Sequence, residues 1–197
     1  MQLRKKLEIN PNDVQALIYL GVMESRLCEN LELGIALLEK AVEADPSSNE
    51  AKFWLAVFCY YNFGYYEKAE ALLKEILKVA PDSPECWSVL ERLVYEADGP
   101  LETVIDYTKK ALALAPNWPF LHNDLANFLI SAGNYEDAKK SINDYKKSVD
   151  FYRAHPVTIS NPVEWYYENV ITGRGVTDID DALKRMEARL EDLHQTF

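Results

Sequence analysis

The chain has 197 residues, 48% of them apolar, and a formal charge of −11. That is enough material for a sizeable core, and the acidic balance excludes a phosphate-tracking nucleic-acid binder, which needs a basic stripe to displace counterions. Seven Gly and nine Pro are too few for a disordered or fibrous chain, and no run approaches the ~18 apolar residues of a membrane span.

In chain order, "MQLRKKLEINPND" has a basic start with no apolar stretch behind it, so no signal peptide is expected. Its "LRKKLEIN" reads as the second half of a helix, making residues 1–11 a partial repeat or an N-terminal cap. The punctuation "LEINPND" then returns as "VEADPSS", "LKVAPDS" and "LALAPNW", with Pro11, Pro46, Pro81 and Pro116 spaced 35 residues apart. A constant period of this size is the signature of stacked repeats, here over residues 12–46, 47–81, 82–116 and 117–152.

The second period shows what one unit contains. "NFG" at 62–64 punctuates it, and behind that turn Ala69, Leu72, Leu73, Ile76 and Leu77 share one helix face. Ahead of the turn the apolar and aromatic residues are too crowded for a clean stripe. Each period is therefore a helix A, a short turn and a helix B. The closing proline ends helix B, because it lacks an N–H and pushes the residue before it out of the α region. In the fourth period Asp150 stands where Pro would fall, so helix B is predicted to continue to about Tyr152.

Beyond Arg153 the repeat pattern stops. "SNPVEWYYENVITG" predicts a helix capped by Ser160 or Asn161, with Pro162 in its first turn and Gly173 at its end. A second helix opens at Thr177 or Asp178, and Ile179, Leu183, Met186, Leu190, Leu193 and Phe197 form one apolar seam along it. A solenoid needs its last repeat covered, so residues 153–197 read as a helical C-terminal extension whose seam caps the array. Alternatively the seam pairs with a second copy of the chain, or folds into the chain's own groove and blocks it.

These units resemble the tetratricopeptide repeat, whose signature is W-x2-L-G-x2-Y, then A-x3-F, then P. Trp87 and Leu90 supply W-x2-L, Leu20-Gly21 supplies L-G, and Leu55-Ala56 and Leu125-Ala126 occupy the matching places. Ala69, Ala138 and Gly34 are the small residues of the facing helix, and Ala41 and Ala111 sit five residues before Pro46 and Pro116. Glu91 departs from the pattern where Gly or Ala is expected, as do Val104, Ile76 and Tyr145. The resemblance implies an all-α, right-handed α-solenoid of about four helix-turn-helix repeats. It also implies that the A helices line a concave face binding extended peptides or helices.

Carried over by register, the inward positions are Ile18, Val22 and Arg26, then Phe53, Trp54, Val57, Tyr60 and Tyr61. Ser88, Arg92 and Tyr95 follow, then Asn123, Asp124 and Asn127. An aromatic-rich stretch thus leads to a polar end. The expected ligand contacts are Phe53, Trp54, Val57, Tyr60, Tyr61, Arg92, Tyr95, Asn123 and Asn127, since Trp and Tyr dominate interface energetics and Asn side chains can hold a peptide backbone. The Lys/Asn/Arg clamp with which related co-chaperones hold acidic C-termini is absent: its places carry Ile18, Val22, Val57, Glu85 and Val89.

Catalysis finds no foothold. His122, His155 and His194 are isolated from one another, and Cys28, Cys59 and Cys86 form no CxxC pair, so neither a metal centre nor a disulfide framework is expected. "GRGVTD" at 173–178 lacks the third Gly and the preceding strand of a dinucleotide site. The expectation is a cytoplasmic, non-catalytic adaptor or scaffold with no cofactor, metal, nucleic-acid or membrane partner, binding a peptide or helix in its groove. The alternatives are a homo-oligomer assembled through the C-terminal helix, and a sensor whose tail blocks its own groove.

Overall fold

The 35-residue punctuation sets the architecture. The computed structural model describes residues 2–26, 30–61 and 65–155, together with Lys184 and Ala188. Among the described residues there are nine helices and no strand: α1 (Gln2–Ile9), α2 (Val14–Arg26), α3 (Leu31–Ala44), α4 (Asn49–Tyr61), α5 (Tyr66–Val79), α6 (Pro84–Glu96), α7 (Leu101–Leu114), α8 (Pro119–Ser131) and α9 (Tyr135–Ala154). None of these is long and apolar enough to cross a membrane.

The same local chemistry recurs at each join. Asp45, Ala80 and Ala115 close α3, α5 and α7 by donating their N–H to the carbonyls of Ala41, Ile76 and Ala111, at 3.1, 2.8 and 2.8 Å. The proline follows at once, so the helix stops there. A capping side chain then restarts the chain as a helix: Asp13 Oδ1 accepts from the Ala16 N–H (2.9 Å), Ser48 Oγ from Ala51 (3.2 Å) and Ser83 Oγ from Cys86 (3.4 Å). Ahead of α8 no such cap exists, and Pro119 in the first turn takes its place.

Between α6 and α7, and again between α8 and α9, the chain turns through a left-handed residue. Gly133 has φ +74° and Asp98, 35 residues earlier, has φ +51°. Both close a Schellman motif, with Asn134 N–H donating to the Leu129 carbonyl (2.9 Å) and Gly99 N–H to that of Val94 (2.8 Å). Only Gly adopts this conformation without strain.

The helices gather into two compact units, Met1–Asp82 and Ser83–Phe197. In the first, α2 packs on α3 and α4 on both α3 and α5. Gly21 and Gly34 let α2 and α3 approach so closely that a Cβ on Gly34 would stand 2.7 Å from the Gly21 carbonyl oxygen. α1 packs on α2, and Arg4 Nη2 reaches the buried Glu24 carboxylate at 2.7 Å.

In the second unit α6 packs on α7, α7 on α8 and α8 on α9. Leu121, Leu125, Ala126 and Leu129 of α8 lie at the centre of a core that Leu112, Ile142, Tyr145 and Val149 complete from either side. The fourth helix B, predicted to reach about Tyr152, runs to Ala154 as α9. Cys59 and Cys86 are buried free thiols, and burial pushes both up to about 11. The seam of Ile179, Leu183, Met186, Leu190, Leu193 and Phe197 lies outside the described residues, as do Cys28 and the caps expected at Ser160, Asn161, Thr177 and Asp178.

Candidate functional site

The expected ligand contacts fall in both units, on helices of different character. On α4 of the first unit, Phe53, Trp54, Val57 and Tyr60 are core residues, with Trp54 4% and Tyr60 8% exposed. Trp54 meets Phe53 edge-on at 5.6 Å and stacks on Phe58 at 6.3 Å, while Tyr60 lies 6.3 Å from Tyr66. Leu55, Ala56, Phe58 and Cys59 are buried as well. A helix apolar on every side buries every side. Tyr61 ends α4, and its side chain lies outside the described residues.

On α6 and α8 of the second unit the arrangement is open. Tyr95 is 55% exposed, yet its ring is braced against Phe128 with centroids 4.9 Å apart. One turn earlier, the half-buried Arg92 guanidinium lies 4.1 Å above the Phe120 ring. Contacts of these two kinds are each worth about 1 kcal/mol. They hold the exposed Tyr95 ring and the half-buried Arg92 guanidinium in fixed positions on α6. Phe120 and Phe128 did not figure among the expected site residues; eight residues apart on α8, they brace a pair three apart on α6.

Asn123 and Asn127 complete this surface in a form the sequence did not foretell. Asn127 Nδ2 donates to the Asn123 carbonyl (2.9 Å), and Asn123 Nδ2 donates to Asp124 Oδ1 (3.2 Å). Their amide donors are thus engaged on α8 itself, which fixes both side chains.

Beneath the surface lies an electrostatic cluster. Glu91 is 1% exposed, and its Oε2 has no hydrogen-bond partner among the described residues. Burial pushes its carboxyl well above the ordinary range, with the charge of Asp124 adding to the rise and Arg92 opposing it. Asp124 itself is pushed up to about 7, again by burial, against the pull of Arg92 and the Asn123 hydrogen bond. Two carboxyls thus share one guanidinium. Carboxyls raised in this way recur at catalytic sites, but Glu91 is sealed from any substrate, and among the described residues no cluster of His, Cys, Asp and Glu could hold a metal ion.

Helix pairs of this length, closed by Pro and packed through small residues at fixed phase, define a tetratricopeptide-repeat fold. Residues 29–93, about a third of the chain, match the tetratricopeptide repeat family. Among solved structures, "Crystal structure of MamA" superposes with a TM-score of 0.66 at 17% identity, covering 77% of this chain and 87% of its own. "MamA RS-1 ArsTM double mutant" gives 0.63 at 19% identity, with 78% and 83% covered. "MamA 41-end from Desulfovibrio magneticus RS-1" gives 0.61 at 19%, with 79% and 84% covered. At these identities the likeness is one of fold. No curated protein matches the sequence.

Proposed function

We propose that the protein is a non-catalytic adaptor that binds a peptide or helix of a partner protein, and that the A-helix surface of the second unit makes the contact. One observation carries this reading: Tyr95 is exposed to solvent yet braced on Phe128, beside a half-buried Arg92 held over Phe120. Tyr and Arg are the residue types that dominate interface hot spots, and bracing them before binding removes the entropy cost of ordering them. Asn123 and Asn127, fixed on the neighbouring helix, frame the polar side of the same surface.

In this reading Phe53, Trp54, Val57 and Tyr60 give the first unit its rigidity. The fold supports the reading, since α6 and α8 are successive A helices of the repeat pattern, and repeat arrays bind partners across such stacked elements.

Affinity capture from native lysate tests it, with the wild-type chain compared with a folded Tyr95→Ala/Asn127→Ala variant. A protein recovered by the wild type and lost with the variant is the expected result. Equal recovery by both would remove this surface from the binding site.

A further inference from the structure

On the far side of α8 the second unit holds a cavity of about 360 Å³ between α7 and α9. His122, Leu125 and Leu129 of α8 line it. At 3.6 residues per turn they point ~150° away from Asn123 and Asn127. The volume falls within the range of small-molecule sites, and Leu112, Leu125 and Leu129 give it an aliphatic floor.

Its polar groups are unevenly satisfied. Asp144 is paired with Lys147 at 2.8 Å, and Asp137 accepts from Asn134 Nδ2 at 2.8 Å. His122 is fixed by donating from Nε2 to the Pro116 carbonyl at 2.7 Å. Lys109 and Lys140, on the rim from opposite helices, make no ion pair among the described residues, although neighbouring Lys110 and Lys139 each hold a carboxylate.

Ser141 is the second sign. A serine or threonine inside a helix ordinarily donates to a carbonyl one turn back, as Ser148 does to Tyr145 (2.7 Å) and Thr108 to Val104 (2.8 Å). Ser141 is 5% exposed and lines the cavity, but makes no hydrogen bond among the described residues. Its Oγ is therefore free to donate to a ligand in the cavity.

We infer that this cavity is a binding site for a small aliphatic carboxylate. The apolar chain would lie on Leu112, Leu125 and Leu129, and the carboxylate would accept from Ser141 Oγ between the ammonium groups of Lys109 and Lys140. The site is separate from the protein-binding surface and does not depend on it.

Octanoate is the probe, titrated into the isotope-labelled full chain and followed by amide NMR shifts, with octanol and octylammonium in parallel. Octanoate is expected to move the signals of Lys109, Leu112 and Ser141 and to leave those of Tyr95 and Asn127 in place. Octanol should bind about tenfold more weakly, and octylammonium not at all. Lys109→Gln/Lys140→Gln should weaken octanoate binding roughly tenfold and leave octanol binding unchanged, and Ser141→Ala should weaken octanoate about threefold. The inference is overturned if octanoate moves no signal on α7–α9, if octylammonium binds as well, or if octanoate binds both variants as it binds the wild type.

Discussion

Tyr60 on α4 and Tyr95 on α6 are 35 residues apart, as are Val57 and Arg92. They stand at the same phase of successive helix pairs. Tyr60 is 8% exposed and Val57 1%, whereas Tyr95 is 55% exposed and Arg92 half-buried. Ala56 and Glu91 share a phase too, and both are buried, one a methyl group and the other a carboxyl without a hydrogen-bond partner on Oε2. A single repeat frame thus supports two forms of helix A: α4 buries Val57 and Tyr60, whereas α6 leaves Tyr95 exposed and Arg92 half-buried over a buried carboxyl. Register fixes where a residue stands on the helix. Chemistry at neighbouring phases decides whether it is covered.

The sharpest way to break this contrast is Trp54→Ala. Truncating a buried ring should cost about 3–5 kcal/mol, seen as a large fall in the thermal midpoint. A loss under ~1 kcal/mol would show that α4 is not the rigid member.

Next in size is a pH effect confined to the second unit. The Asp124 carboxyl is raised from 3.8 to about 7, so folding binds its proton more tightly. Its contribution to stability is therefore complete below pH ~4 and lost as pH rises through about 7. Thermal midpoints from pH 4 to pH 8 should fall more steeply for the wild type than for Asp124→Asn or Glu91→Gln. Parallel profiles would remove the Glu91–Asp124 carboxyl cluster from the account.

Tyr95→Ala should cost only about 1 kcal/mol of stability, the worth of its contact with Phe128, while abolishing partner capture. The smallest effect expected is a gain. Asp98→Gly relieves a left-handed residue and should raise stability by about 1 kcal/mol, measured by denaturant unfolding, provided the turn keeps the form that Gly133 takes 35 residues later.

Much of this fold was legible because it rests on local rules repeated in phase. Pro11, Pro46, Pro81 and Pro116 mark the joins, and Gly21, Gly34 and Ala69 stand where helices must approach. The candidate site was less so. Phe53, Trp54 and Tyr60 carry the residue types of a binding surface, and only the near-continuous apolar run around them hints at their burial. Glu91 was visible as a departure from a small residue, but the charge of Asp124 that acts on it comes from α8, not from a neighbouring position in the sequence, which no local pattern reports. Lys109 and Lys140 read as ordinary solvated residues. That they face one cavity follows from packing alone.

The most direct test of the central claim is site-specific photocrosslinking in lysate, with a photoreactive phenylalanine analogue replacing Tyr95 in one chain and Tyr60 in another. Adducts to a partner protein from position 95, with none from position 60, are the result predicted. Adducts from position 60 and none from position 95 would place binding on α4 and contradict the account.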